Sequence, residues 1–246
     1  MQNRIFVAVL SGTLKKEGLS SLAREPAIHI SQPTPQDLCA QLTALKARSG
    51  LPKLLPAWQM ASALEALLNQ LCGRPANFTP STALTISNAL DLMGALCVRG
   101  LQSDLVTNPP VRLLAVDDDA ICRHAISFAL KKALDGPDLA SDGPTALSLA
   151  SQQRYEAIFL DLEMPGMDGF ELCAKIRQTP GNRNTPVIFV TRHSDFESRA
   201  KSNRTGGQDL IGKPFLTFEV AVKALTLILR GRLPNAKNAP ELMAVA

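Results

Sequence analysis

The chemically capable residues of this chain sit at the ends of short apolar runs. Residues 113–116 end in Asp117-Asp118-Asp119, residues 157–160 in Asp161, and residues 187–190 in Thr191, while Leu210-Ile211 leads into Lys213-Pro214-Phe215. Carboxylates packed side by side repel, and they stay charged together only with a cation beside them. Hard oxygen ligands with open coordination positions suit Mg²⁺, which keeps some of its waters and readily shares a phosphate oxygen. An aspartate can act as the nucleophile that forms an acyl phosphate. Phosphoryl transfer then needs positioning and charge neutralisation more than acid–base chemistry, and a metal, a lysine and a hydroxyl supply both.

These groups can act together only if the runs are strands of one sheet. The spacing predicts strands over 113–116, near Leu139, over 157–160, 187–190 and 210–211. Between and after them it predicts helices over 120–134, 144–153, 169–177, 195–202 and 216–230. Five βα units in about 120 residues imply a parallel sheet with right-handed crossovers and helices on both faces. In such an α/β, doubly wound five-stranded fold, ligands lie at the carboxyl ends of the strands beside the topological switch point. Three carboxylates, a hydroxyl and a lysine therefore fall on one sheet edge.

The motifs VDDD, FLDLEMPGMDG, VIFVT and GKPF occur in that order, with 30 residues from Asp161 to Thr191 and 22 from Thr191 to Lys213. In identity and spacing this set resembles the receiver domain of bacterial two-component response regulators, a flavodoxin-like fold. The resemblance covers about residues 111–232, roughly half the chain. It implies that Asp161 is the phosphoacceptor, that Asp118 ligates Mg²⁺ directly and Asp117 mostly through water, and that the backbone carbonyl of Glu163 completes the metal set. Thr191 would hydrogen-bond a phosphoryl oxygen and Lys213 would pair with the phosphoryl group, with a cis Lys213–Pro214 bond. It also implies a protein that is not an enzyme in the usual sense but catalyses its own phosphorylation and dephosphorylation. The phosphodonor would be a histidine kinase or histidine phosphotransfer protein. Two positions depart from the pattern. Arg192 stands where a small residue is usual, and Leu210 where many members carry Tyr or Phe. Asp119 is explained as well by a helix cap as by a site. His124 and His193 are not expected to act as relays.

Ser103 to Pro110 is a polar stretch ending in Pro-Pro, which favours an extended linker. It divides a mostly helical part, residues 1–102, from the linker 103–110, the receiver 111–232 and a tail 233–246. In the first part, Thr34-Pro35 and Thr79-Pro80 each pair an N-cap hydroxyl with a proline at the first helical position. Stripes run Leu38, Leu42, Leu45, then Leu54, Trp58, Ala61, Leu64, Leu68, Leu71, and then Ile86, Leu90, Met93, Cys97. Three such helices imply a small antiparallel bundle. LTALKARSG, ALEALLNQL and TPSTALTISNALDLMGAL resemble a histidine phosphotransfer domain, with Lys46 at its lysine and Thr43 in place of its histidine. An unrelated helical bundle remains the alternative.

Composition excludes several classes. Net charge is +4, with nine Lys/Arg against six Asp/Glu up to residue 110 and seventeen against sixteen after it, so neither half carries a nucleic-acid footprint. No apolar run is long enough for a membrane span. Five dispersed cysteines argue against both a disulfide framework and a zinc site and suggest small core residues. The expectation is a cytoplasmic regulator that acts through protein contacts, with a homodimer compatible, or alternatively a receiver scaffold independent of phosphate.

Overall fold

A computed structural model describes residues 55–98, 109–192 and 207–233, together with Ala40, Leu42 and Thr43. The predicted helix over 195–202, Thr34-Pro35, Lys46 and the tail beyond Leu233 lie outside the described residues. Five strands are present: β1 (Leu113–Val116), β2 (Asp138–Ala140), β3 (Ala157–Asp161), β4 (Val187–Thr191) and β5 (Asp209–Gly212). All pair in parallel in the order β2-β1-β3-β4-β5. Helices α1 (Leu55–Gly73) and α2 (Pro80–Val98) precede the sheet, and α3 (Ala120–Leu130), α4 (Gly143–Gln152), α5 (Gly169–Ile176) and α6 (Thr217–Arg232) follow its strands.

Strands β1, β3 and β4 are buried at every position. Parallel strands covered on both faces read as unbroken apolar runs, as LLAV, AIFLD and VIFVT do. Side chains alternate between two apolar clusters with the period of two that a strand imposes. Leu113, Ala115, Phe159, Ile188, Val190 and Ile211 join one cluster with residues of α3 and α6, as well as α1 and α2. Leu114, Val116, Ile158, Leu160, Phe189 and Leu210 join the other with α4 and α5. Each fully buried Phe or Leu contributes about 1.5–3 kcal/mol relative to exposure, so these two layers hold the sheet.

Aspartates start the helices on the functional edge. Asp119, Asp142 and Asp168 accept from the N–H groups of Ile121, Thr145 and Glu171 at 2.8, 2.8 and 2.7 Å, capping α3, α4 and α5. Thr79 and Thr82 exchange reciprocal bonds ahead of α2: Thr79 N–H to Thr82 Oγ1 at 2.8 Å, and Thr82 N–H to Thr79 Oγ1 at 3.2 Å. This is the cap that Thr79-Pro80 foretold.

In α1 the buried face is Ala57, Met60, Ala61, Leu64, Leu67, Leu68 and Leu71, and Trp58 is 40% exposed. The predicted stripe was thus correct at Ala61, Leu64, Leu68 and Leu71 but included Trp58, which lies off the face. The core role expected of the cysteines holds for Cys173, whereas Cys72 is exposed and Cys122 half-buried. No helix among the described residues is long and apolar enough to cross a membrane.

Candidate functional site

The two sheet registers that matter place Asp161 beside Val190 and Thr191 beside Gly212, so β3, β4 and β5 present their carboxyl ends together. Beside them the chain leaves β1 at Asp117. One ligand oxygen each from Asp117, Asp118 and Asp161 lies within 4.8 Å of the others, with Asp117 and Asp161 buried and Asp118 exposed. Lys213 reaches over from the end of β5, its Nζ 2.7 Å from Asp117 Oδ2 and 2.8 Å from Asp161 Oδ2. The Lys213–Pro214 peptide is cis.

One lysine against three carboxylates leaves the cluster short of positive charge. Burial pushes the Asp117 carboxyl above its usual range, and the Asp161 charge pushes the same way, against the pull of Lys213. Burial pulls Lys213 down, but its close contacts with the Asp117 and Asp161 carboxylates outweigh this, and its ammonium form is favoured overall. The Asp117–Lys213 contact is an ion pair by distance yet lacks hydrogen-bond geometry, so the buried Asp117 Oδ2 keeps an open acceptor direction. Asp117 Oδ1 instead accepts the Asp119 N–H at 3.0 Å. An under-neutralised set of hard oxygens, one of them exposed to water, fits a divalent cation such as Mg²⁺.

Thr191 is fully buried at the end of β4, and its carbonyl accepts the Lys213 N–H at 2.7 Å. Glu163 follows two residues after Asp161, and its N–H donates to Asp161 Oδ1 at 3.3 Å. Arg192 is exposed, next to Thr191. Asp119 serves as the α3 cap, and the exposed His124 has its Nδ1 2.8 Å from the Ala120 carbonyl.

Two positioning residues escaped the reading of the sequence. Arg123 Nη1 donates to the carbonyls of Asp117 and Asp118 at 2.6 and 2.9 Å and so pins the acidic turn. Its signal is a cation one turn into the helix that follows a run of carboxylates. Gly169 opens α5 with its backbone against the acceptor: a Cβ there would stand 2.2 Å from the Asp161 carbonyl oxygen.

The parallel order 2-1-3-4-5, with acidic residues at the ends of its first and third strands, defines a doubly wound α/β protein whose site lies at the switch between β1 and β3. Residues 113–225 match the response regulator receiver domain family. Response regulator MprA of Mycobacterium sp. (strain KMS) is 32% identical over 133 residues, which are 54% of this chain and 57% of that protein. Transcriptional regulatory protein ResD of Bacillus subtilis (strain 168) is 33% identical over 128 residues, 52% of each chain. Among solved structures, the Vibrio cholerae chemotaxis protein CheY4 is 30% identical, with a TM-score of 0.45, covering 48% of this chain and 98% of that one. Residues 113–225, just under half of the chain, thus carry a response regulator receiver domain similar to those of these two-component regulators. The chain spans just over half the length of the curated relatives it matches.

Proposed function

We propose that this chain is a phosphorylation-controlled response regulator whose acceptor is Asp161. The reading is carried by one observation: Lys213 Nζ bridges Asp117 and Asp161 at the strand ends, with Asp118 beside them. An Asp161 carboxylate oxygen forms the new bond to phosphorus as the bond to the donor's imidazole nitrogen breaks and the imidazole leaves. The donor is a phosphohistidine of a histidine kinase or histidine phosphotransfer protein. Mg²⁺, held by Asp117, Asp118, Asp161 and the Glu163 carbonyl, would supply charge neutralisation for the phosphoryl oxygens. The Lys213 ammonium, already between two carboxylates, pairs with a phosphoryl oxygen, and the Thr191 hydroxyl donates to another. Arg123 and the backbone of Gly169 hold the acceptor and its acidic neighbours in place. Return of the free carboxylate by hydrolysis uses the same groups. Output passes through protein contacts of a cytoplasmic regulator, and no nucleic-acid contact is needed.

Incubation with a small phosphodonor and Mg²⁺, followed by intact mass, tests this. The wild-type protein gains one phosphoryl group, and Asp161→Asn gains none, because an amide is a poor nucleophile. A wild-type protein that binds Mg²⁺ but stays unmodified favours the second reading, a phosphate-independent scaffold. The apolar packing of α1 and α2 on α6 is the observation behind that alternative.

A further inference from the structure

At the amino-terminal edge of the sheet, opposite the acidic site, an open cleft of about 750 Å³ lies between the entries to the strands and the end of α6. Its lining holds four arginines, Arg112, Arg154, Arg230 and Arg232, and one carboxylate, Glu156. Arg112 directly precedes β1, Arg154 lies in the turn before β3, and Arg230 and Arg232 close α6. Three separate stretches of chain supply them, so folding rather than a run of basic residues gathers the charge. Buried Tyr155, Thr185 and Ile228 line the same cleft, and Pro109, Pro110 and Pro186 add apolar surface.

Among the described residues, only Arg232 of the four pairs with a carboxylate. It meets Glu156, and its Nη2 also donates to the Pro109 carbonyl at 2.7 Å. Arg230 Nη2 donates to the neutral Asn88 carbonyl at 3.0 Å, and Arg112 Nη1 to the neutral Gln153 Oε1. Arg154 is exposed and makes no hydrogen bond or ion pair among the described residues. The carbonyl ends of α4 and α6 attract cations, but that attraction is weak at exposed positions and needs no shared cleft. Guanidiniums gathered without carboxylates repel one another, and a bound anion relieves that repulsion.

A guanidinium presents a planar fork of donors that matches phosphate oxygens two at a time, and its face stacks on planar rings. A smaller cleft of about 360 Å³ adjoins the first, sharing Gln208, Leu227 and Arg230 in its lining. Thr85 and Asn88 of α2 border it, with Asp209 and Thr226. Hydroxyl, amide and carboxylate groups suit the hydroxyls of a sugar and the amino edge of a base better than they suit further phosphate. Both volumes fall within the roughly 300–1,000 Å³ of small-molecule sites.

We propose that the two adjoining clefts bind a nucleotide carrying two or more phosphates, with its phosphates on Arg112, Arg154 and Arg230 and its sugar and base toward α2. The site is separate from the phosphoacceptor, because β1 alone puts about 16 Å between residues 112 and 117 at strand rise. A nucleotide there touches both the strand entries and α2, an input to the chain that does not pass through Asp161.

The test is calorimetric titration of the full chain with ADP, in a chelator that removes divalent cations and about 0.15 M salt that screens bare charge attraction. Wild-type protein binds ADP with a dissociation constant below about 1 mM and more tightly than it binds inorganic pyrophosphate. Arg154→Ala weakens ADP binding at least about tenfold, the loss of one charge-assisted contact, while Asp161→Asn binds as wild type does. A wild-type protein that takes up no ADP overturns the site, as does Arg154→Ala with wild-type affinity. Loss of ADP binding in Asp161→Asn puts the nucleotide at the acidic cluster and also overturns it. Pyrophosphate binding as tightly as ADP contradicts the nucleotide. So does a glutamate octapeptide that binds more tightly than ADP, which makes the cleft a dock for an acidic chain.

Discussion

Gly169 is where the acceptor's surroundings are tightest. Its N–H donates to the Leu162 carbonyl at 3.1 Å, and a methyl in place of its hydrogen would run into the Asp161 carbonyl. Backbone cannot yield as a side chain tip can, so Gly169→Ala displaces either α5 or the acceptor strand. The expected cost is about 3 kcal/mol or more, against about 0.5 kcal/mol or less for Gly181→Ala, whose Cβ would meet only ordinary contacts. Denaturant unfolding midpoints of the two variants check this. Equal midpoints would show that the close approach is slack. At this scale the sequence was most informative where a residue's type announces its chemistry. Asp117, Asp118, Asp161 and Lys213 could be read because carboxylates and a lysine at strand ends have few other reasons to be together. Arg123 could not, because it acts on backbone carbonyls and so has no side-chain partner in the sequence to reveal it.

Elements differed in legibility for physical reasons. Strands β1, β3 and β4 are enclosed on both faces, so they announce themselves as continuous apolar runs. The edge strand β2 leaves Asp138 and Leu139 exposed and gave only a faint signal at Leu139. In α1 the apolar face packs on α6 as well as on α2, which widens it beyond a single stripe. Leu67 and Met60 join it, and Trp58 is left at its margin beside Lys131 and Lys132. The consequence is measurable. Leu64→Ala should cost about 2–5 kcal/mol, as a large-to-small change in a close-packed core does, while Trp58→Ala should cost far less despite removing the bigger side chain. Thermal or denaturant unfolding of the full chain decides it. A larger loss at Trp58 would mean that the packing face of α1 has been misplaced.

The whole molecule joins what the linker composition divides. Pro109-Pro110 and the polar stretch before them mark a change in sequence character, yet residues on both sides contribute to one apolar cluster through α6. That docking was latent in the sequence of α6 itself. TFEVAVKALTLILRGR is apolar around most of its circumference, which is the pattern of an enclosed helix rather than of a surface one. Its partner could not be read from it, because a broad apolar face does not name what covers it. Helix α2 and the acidic site both touch β5 or its end, through the Leu210 carbonyl and through Lys213, so the account of the molecule depends on where the phosphoryl group is taken up. Its central claim is that Asp161 alone accepts it. The direct measurement is to treat the protein with a small phosphodonor and Mg²⁺, reduce the acyl phosphate with borohydride, and map the peptides by mass. Borohydride converts an aspartyl phosphate to homoserine, so the account predicts homoserine at position 161 and nowhere else. Homoserine at position 117 or 118, or an unreduced Asp161 in protein that has gained a phosphoryl group, would contradict it.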